Sequence, residues 1–149
     1  MATLCKLYSD AEQIIVPETW TPLRFERALR DDGPMWGGGG VSSPDSALIT
    51  PRRDGDFEWE RFVHWESIIV PEGDTRPRQF LEQFCRDPYT APDTTATTDG
   101  VDTPGKEFRL ASWRFRGRAG QPVAVRVWHD HHEPVKVTHS QFIASTSDY

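Results

Sequence analysis

The feature that most constrains the fold is an alternation of large apolar and polar side chains along residues 57–70. The apolar side chains are separated by multiples of two positions and comprise Phe57, Trp59, Val63 and Trp65. Between them lie mainly polar residues, with one aromatic among them: Glu58, Glu60, Phe62 and His64. Because successive side chains of a β-strand point to opposite faces, this pattern predicts a strand with one buried face.

Three further segments are predicted to be strands on the same grounds. Residues 108–118 and 122–129 alternate and are joined around residues 117–121, and residues 135–138 add a last strand. Consecutive strands joined by a short segment that contains glycine commonly form a hairpin. We therefore expect a small, mainly antiparallel sheet that includes this hairpin.

Two segments carry the signals of helices. Residues 21–30 begin with threonine and proline, which suit the N-cap and the first helical position. Residues 76–86 follow Thr75 or Asp74 as a cap, and four of their apolar side chains share one helical face: Phe80, Leu81, Phe84 and Cys85. The predicted fold class is therefore α+β, with the helices packed on one side of the sheet.

The chain length favours one domain over residues 1–149, with an N-terminal arm at 1–18, a loop at 87–105 and a polar tail at 140–149. No segment approaches the roughly 20 apolar residues of a membrane span, and the first residues do not resemble a secretion signal. Cys5 and Cys85 are too few for a disulfide framework. We expect a soluble protein of a reducing compartment, with no membrane partner.

The formal net charge of −6 argues against nucleic-acid binding through net charge alone. However, the charges are segregated along the chain. Residues 106–126 contain six basic side chains and one acid, whereas residues 87–105 contain acids and no base. A locally basic surface is therefore available to an anionic partner.

A histidine-rich segment invites a metal-site hypothesis. It contains His129, His131, His132 and Glu133, with His139 nearby, but these residues match no established ligand spacing. No nucleophile motif occurs elsewhere in the chain. We therefore expect no cofactor, no metal and no catalysis, with a metal-dependent enzyme that uses residues 129–139 as an alternative.

The basic hairpin carries the most information about function. Alternation places Ser112, Arg114, Arg116 and Arg118 on one face and Arg109, Ala111, Trp113 and Phe115 on the other. An open sheet face with arginine and serine suits the phosphates and 2′-hydroxyl groups of A-form RNA. The alternative is an edge strand whose charges prevent aggregation.

Three segments resemble the tombusvirus and aureusvirus family of RNA-silencing suppressors, which are plant-virus proteins. They are Thr19-Trp20-Thr21-Pro22-Leu23-Arg24, Trp59-Glu60-Arg61-Phe62-Val63-His64-Trp65 and Arg114-Phe115-Arg116-Gly117, in the family's order. The resemblance implies a homodimer in the host cytoplasm that binds double-stranded RNA, including small interfering RNA, without sequence specificity. The predicted RNA-binding residues are Trp20, Arg24, Arg27, Arg61, Arg76, Arg78, Ser112, Arg114, Arg116 and Arg118.

Two departures from the family pattern limit what this resemblance implies. Leu23 stands where the family has a second tryptophan, and no long C-terminal helix is evident before Tyr149. We therefore expect weak discrimination of duplex length. Trp36-Gly37 offers another alternative, because tryptophan-glycine dipeptides dock on Argonaute proteins.

Overall fold

The computed structural model describes residues 3–69, 72–74, 78–93, 99–100 and 109–147. These residues form two antiparallel sheets packed face to face. The strands are β1 (Thr3–Ser9), β2 (Gln13–Ile15), β3 (Thr21–Pro22), β4 (Arg27–Asp31), β5 (Gly55–Trp65), β6 (Phe80–Arg86), β7 (Asp99–Gly100), β8 (Arg109–Gly117), β9 (Val123–His129) and β10 (Val135–Thr146). Short 3-10 helices occupy Gly40–Ser42 and Pro44–Ala47.

The larger sheet has the strand order β4-β1-β10-β5-β8, and β2 also pairs with β10. The smaller sheet has the order β3-β9-β6-β7. Strand β10 is central in the larger sheet because it pairs with β1 on one side and with β5 on the other. The arrangement is a sandwich of the jelly-roll type.

The core lies between the two sheets and is built around stacked aromatic rings. The ring of Trp59 lies 5.1 Å from Phe57, 4.9 Å from Phe115 and 6.0 Å from Phe142. From the smaller sheet, Phe84 contacts both Phe115 and Phe142 at 6.1 Å. Aromatic side chains bury large areas, so this cluster supplies much of the hydrophobic stabilisation.

An ion pair lies within this apolar interior. Arg61 of β5 and Glu82 of β6 are almost fully buried, with Arg61 Nε 3.6 Å from Glu82 Oε1. The indole N–H of Trp65 donates to Glu82 Oε2 at 3.1 Å, and the guanidinium of Arg61 lies 4.7 Å from the ring centre of Phe84. The pair therefore links the two sheets through charge as well as packing.

The α+β prediction is wrong, because the structure is almost entirely antiparallel sheet and has no α-helix in its described residues. The segment predicted as the first helix instead contains strands β3 and β4. Leu23 and Phe25 between these strands are both fully buried. Pairing with β9 and β1 has overridden the local helix signals of Thr21 and Pro22.

The second predicted helix is also wrong over Phe80–Arg86, which forms strand β6. Its apolar residues fit either structure, because Phe80 and Phe84 are four positions apart and so share a face in a helix and in a strand. Pairing with β9 decides for the strand. The predicted start of the helix, residues 75–77, lies outside the described residues.

The strand predictions are confirmed in position but not in pairing. Strand β5 covers most of the segment 57–70, and β8 and β9 match the two predicted hairpin strands. They do not pair with each other, because β8 pairs with β5 and β9 with β6. The connection between them therefore crosses from one sheet to the other, and the hairpin prediction is wrong.

Both ends of the described chain are strands of the larger sheet. Within the predicted arm, residues 1–18, lie β1 and β2, and β10 continues through most of the predicted polar tail to Thr146. A bulge in β10 between Val137 and His139 shifts the register against β5. This shift interrupts the alternation, so the sequence pattern suggested an end to the strand at Thr138.

The described part of the loop 87–105 includes a single pair of strand residues, Asp99–Gly100. No helix among the described residues is both long and apolar enough to cross a bilayer.

Candidate functional site

The side of the larger sheet that faces away from the smaller sheet, here called the outer face, carries the most distinctive surface. The strand registers align its side chains in three rows. They are Leu4, Ser145, Glu58 and Arg114; then Arg30, Lys6, Ile143, Glu60 and Ser112; then Arg27, Tyr8, Gln141, Phe62 and Leu110. No other strand in the described part of the chain packs over them.

The third row and the neighbouring His139 form a continuous aromatic and apolar strip. The guanidinium of Arg27 lies 5.0 Å from the ring centre of Tyr8, which meets His139 edge to face at 5.1 Å. His139 in turn meets Phe62 edge to face at 5.8 Å. Leu110 extends the strip at the sheet edge and is 64% exposed. The strip therefore crosses the width of the sheet.

Hydrogen bonds around Asp10 hold this strip in place. His139 Nδ1 lies 2.8 Å from Asp10 Oδ1, and the Tyr8 hydroxyl donates to Asp10 Oδ2. The Tyr8 hydrogen bond, followed by that of His139, lowers the pKa of the Asp10 carboxyl. The backbone N–H of Asp10 donates to Glu26 Oε1 at 2.6 Å. Two of the strip's side chains are therefore held to one ionised carboxylate.

Charges on the outer face are segregated by strand. Strand β5 is acidic, and its carboxylates lie beside the arginines of β8: Arg114 Nη2 is 3.7 Å from Glu58 Oε2, and Arg116 Nη1 is 3.6 Å from Asp56 Oδ1. The opposite side of the face carries basic side chains on β1 and β4, which are Lys6, Arg27 and Arg30. The face therefore has one acidic strand, β5, with basic β8 on one side and, beyond the uncharged side chains of β10, basic β1 and β4 on the other.

The structure does not bring the ten predicted RNA-binding residues onto one surface. The outer face carries Arg27, Ser112, Arg114 and Arg116, and Arg118 is exposed in the turn after β8. The other described members lie in the interior or on other surfaces. Arg76 lies outside the described residues.

Two of the predicted arginines are largely buried. Arg61 is enclosed in the core beside Glu82. Arg78 is engaged by Asp74 Oδ2 at 2.7 Å and donates from Nε to His131 Nδ1 at 3.0 Å. Neither guanidinium is placed on an open surface where it would meet a phosphate.

Trp20 lies on the opposite side of the sandwich, on the smaller sheet. Its ring contacts Trp128 at 6.4 Å, and the guanidinium of Arg126 lies 4.7 Å from its centre. Gln83 accepts a hydrogen bond from Arg126 Nε. Trp20 and the arginines of β8 therefore lie on opposite surfaces of the protein and do not form one binding site. Arg24, after β3, lines a separate cleft.

The histidine-rich segment places His131, His132 and Glu133 close enough for their ligand atoms to lie within 4.8 Å of one another. Arg78 donates to His131 Nδ1, so a neutral His131 ring carries its proton on Nε2 and offers no lone pair to a cation. His139 takes no part, because it lies on the outer face with Asp10. These contacts do not favour a metal centre.

The Trp36-Gly37 dipeptide is held within the fold. The indole N–H of Trp36 donates to Ser46 O at 2.9 Å, and Trp36 packs partly buried against the core. The backbone N–H of Gly37 donates to Leu48 O at 3.1 Å. A partner that captured this side chain would first have to extract it.

Sequence reasoning missed the aromatic strip, although one signal was present. Phe62 is an aromatic residue on the otherwise polar face of β5, which is unusual for a face left to solvent. Tyr8, His139 and Leu110 come from three other strands, so their proximity depends on the sheet register. No local pattern contains that register.

No family model and no curated relative matches this chain. Similar solved structures include the globular domain of the zebrafish complement 1qA protein, with a TM-score of 0.56, 12% identity, and coverage of 99% of this chain and 98% of that chain. Murine APRIL has a TM-score of 0.57 and 11% identity, with coverage of 96% of this chain and 98% of that chain. Eiger TNF from S. frugiperda has a TM-score of 0.55 and 10% identity, with coverage of 100% of this chain and 94% of that chain.

These similarities show the fold alone. The chain has a jelly roll of the kind found in TNF-like and C1q-like domains. They identify no silencing suppressor, and the resemblance to that viral family remains a prediction.

Proposed function

We propose that this chain is a binding module that assembles with further copies of itself through the outer face of the larger sheet. The observation that carries this proposal is the strip from Tyr8 through His139 and Phe62 to Leu110. Leu110 is exposed and Tyr8, Phe62 and His139 are partly exposed, so contact with another protein would remove their apolar surface from water.

The charges around the strip favour a second copy as the partner. Acidic β5 lies between basic β8 and the basic pair β1 and β4. A second copy packed on this face and shifted across the strands would place its basic strands over the acidic β5 of the first copy. Complementary charges of this kind fix the register of an interface more than its affinity. A contact between two different parts of the face is heterologous and builds a ring if the rotation closes or an open filament if it does not, whereas the predicted homodimer requires a self-complementary contact.

Sedimentation equilibrium with the Leu110→Asp variant tests the proposal. The substitution places a charge on the strip without opening the core, because Leu110 is exposed. We expect the parent to associate at micromolar concentration and the variant to associate at least about tenfold more weakly. The order of the parent assembly distinguishes a dimer from a ring.

The matched control is Ile69→Asp, because Ile69 is 89% exposed and lies outside the sheets. This control should associate like the parent. A parent that stays monomeric at about 100 μM, or a Leu110→Asp variant that associates normally, would contradict the proposal.

We propose duplex RNA as a second candidate ligand, since Ser112, Arg114 and Arg116 share the outer face. The Arg114 side chain is 84% exposed and that of Arg116 57%, so both guanidinium groups are open to phosphate. The acids of β5 oppose this candidate, because Glu58 and Asp56 compete for the same arginines. If duplex RNA is bound, the role of silencing suppressor implied by the sequence resemblance follows as a proposal.

A gel shift with labelled duplex RNA tests this candidate. Replacing both Arg114 and Arg116 with alanine should weaken binding to every duplex alike and should flatten the salt slope by roughly 0.7 to 0.9 per arginine. Glu58→Gln should strengthen binding because it removes a competing carboxylate. Arg53→Ala, in the exposed loop before β5, is the control.

Either of two results would count against RNA binding by β8. One is the absence of any shift at low salt, and the other is unchanged affinity in the double alanine variant. Because Leu110→Asp leaves both arginines in place, the assembly and RNA proposals can fail independently.

A further inference from the structure

A cleft of about 350 Å³ lies between strand β2, in the larger sheet, and strand β3, in the smaller sheet. It shares no lining residue with the three rows of the outer face. Its lining includes Gln13, Ile14, Pro22, Arg24, Val41 and Tyr89. Its volume is at the lower end of the range for small-molecule sites, roughly 300 to 1,000 Å³.

Three exposed apolar side chains line the cleft beside its polar groups. Ile14, Val41 and Tyr89 are three of the eight large apolar side chains that are exposed among the described residues. Single apolar residues scattered over a surface are normal, whereas these three line the same concave cleft. The apolar part of a small molecule could therefore be buried from water in this cleft.

Hydrogen bonds hold the walls in position. The Gln13 side chain bridges to the backbone of Arg24, donating to its carbonyl at 2.8 Å and accepting from its N–H at 2.7 Å. Arg24 Nη1 donates to Val41 O at 3.3 Å, and the Tyr89 hydroxyl donates to Pro44 O at 2.9 Å. A site fixed in this way loses little conformational entropy when it binds a ligand.

Arg24 supplies the cleft with positive charge. Among the described residues, no carboxylate lies within ion-pair distance of its guanidinium. The carboxylate of Glu12, which also lines the cleft, is engaged by Lys136 at 3.1 Å. Burial raises the pKa of the Tyr89 hydroxyl, while the neighbouring Arg24 opposes this rise and Asp45 adds to it. The guanidinium is therefore close to the aromatic wall and able to pair with an anion.

We propose that this cleft binds a small amphipathic carboxylate. Its apolar body packs between Ile14, Val41 and Tyr89, and its carboxylate accepts hydrogen bonds from Arg24. Guanidinium and carboxylate groups form strong charge-assisted hydrogen bonds, which give a preference for the acid over an uncharged molecule of the same shape. The proposal does not depend on self-association or on RNA binding, because it uses none of the side chains on which those two proposals rest.

Titration with 4-phenylbutyrate and with its uncharged analogue 4-phenylbutanol, followed by backbone NMR shifts, tests the proposal. Phenylbutyrate should shift the resonances of Ile14 and Val41 and should bind at least about tenfold more tightly than the alcohol. Arg24→Gln should remove this preference while leaving the weaker binding of the alcohol. The control Arg53→Gln should change neither.

Tyr89→Ala should weaken both probes alike, because it removes a wall and keeps the charge. Carrying out the titration in the Leu110→Asp background keeps the result independent of assembly. The proposal is overturned if phenylbutyrate does not bind at about 10 mM, if it binds no better than the alcohol, or if Arg24→Gln leaves the preference unchanged.

Discussion

Strands β5 and β8 are neighbours in the larger sheet, and both carry arginines that the sequence assigned to RNA. In β5, Arg61 is fully buried and pairs with Glu82, whereas in β8 the Arg114 side chain is 84% exposed. The difference follows from position along each strand. Arg61 shares the inward face with Trp59, while Arg114 shares the outer face with Ser112. The same residue type thus has a structural role in one strand and a surface role in the next.

This comparison also shows which sequence signal was the better guide. The alternation along β5 puts Arg61 on the same face as the apolar residues, whereas the resemblance to an RNA-binding family implied that Arg61 contacts RNA. The structure follows the alternation. Burial of a charge requires a partner from another strand, and that partner could not be identified within β5 itself.

The largest expected effect comes from breaking the buried pair. Arg61→Ala leaves Glu82 as a buried carboxylate without its cation, and we expect a loss of about 3 to 5 kcal/mol in the free energy of unfolding. Urea denaturation followed by tryptophan fluorescence measures this loss.

A double variant, Arg61→Met with Glu82→Gln, removes both charges and keeps an acceptor for Trp65. It should be more stable than Arg61→Ala, because no uncompensated charge remains. A cost below about 1 kcal/mol for Arg61→Ala would show that Arg61 is not enclosed with Glu82.

An intermediate effect is expected from pH, through His131. Burial lowers the pKa of His131 below its usual value, with contributions from His132 and Arg78. The folded state therefore favours the neutral ring, and the unfolded state binds more protons between the two pKa values. Stability from this group is present above about pH 6.5 and is lost as the pH falls through the folded-state value.

His131→Asn keeps an acceptor for Arg78 and removes the titrating ring, so the loss of stability between pH 7 and pH 5 should be smaller than in the parent. Urea midpoints at several pH values measure it. The exposed His132 contributes to the lowered pKa of His131, so His132→Asn should reduce the pH dependence only in part. An unchanged pH dependence in His131→Asn would exclude His131 as its source.

A small effect is expected from the exposed arginines of β8. Replacing Arg114 and Arg116 with alanine removes two exposed ion pairs, and the free energy of unfolding should change by less than about 1 kcal/mol. Thermal melting measures this change. A large loss would mean that these side chains support the fold, and the contrast with Arg61 would disappear.

No effect is expected from removal of metal. The purified, untagged protein should carry no stoichiometric zinc or nickel, because Arg78 occupies the Nδ1 atom of His131. Elemental analysis and melting with and without a chelator check this expectation. One tightly held ion per chain, lost in His131→Ala, would instead support the metal-dependent alternative.

The sequence predicted most of three strands, and it did so where one face is mainly apolar, as in β5, whose inward face carries Arg61 among aromatic and aliphatic side chains. It failed for β6, because Phe80 and Phe84 satisfy the helical and the extended period equally. It also failed for β10, where the bulge after Val137 interrupts the alternation. The pairing partners of the strands could not be predicted from the sequence, because β8 and β9 are adjacent in sequence and yet belong to different sheets.

The candidate site was predictable only within single strands. The alternation along β8 correctly put Ser112, Arg114 and Arg116 on one face. The strip depends on Tyr8 and His139, which are far apart in sequence and meet because β1 pairs with β10. Such contacts are products of tertiary register rather than of local pattern.

The central place of β10 has a consequence for how the chain is made. Strand β10 is the last described strand, yet β1, β2 and β5 all hydrogen-bond to it. While a ribosome is still synthesising β10, β1 and β5 have no partner between them, and their exposed edges resemble those that promote aggregation. The larger sheet therefore closes only after residues 135–146 leave the exit tunnel, and such distant pairing makes folding slow compared with that of helical proteins.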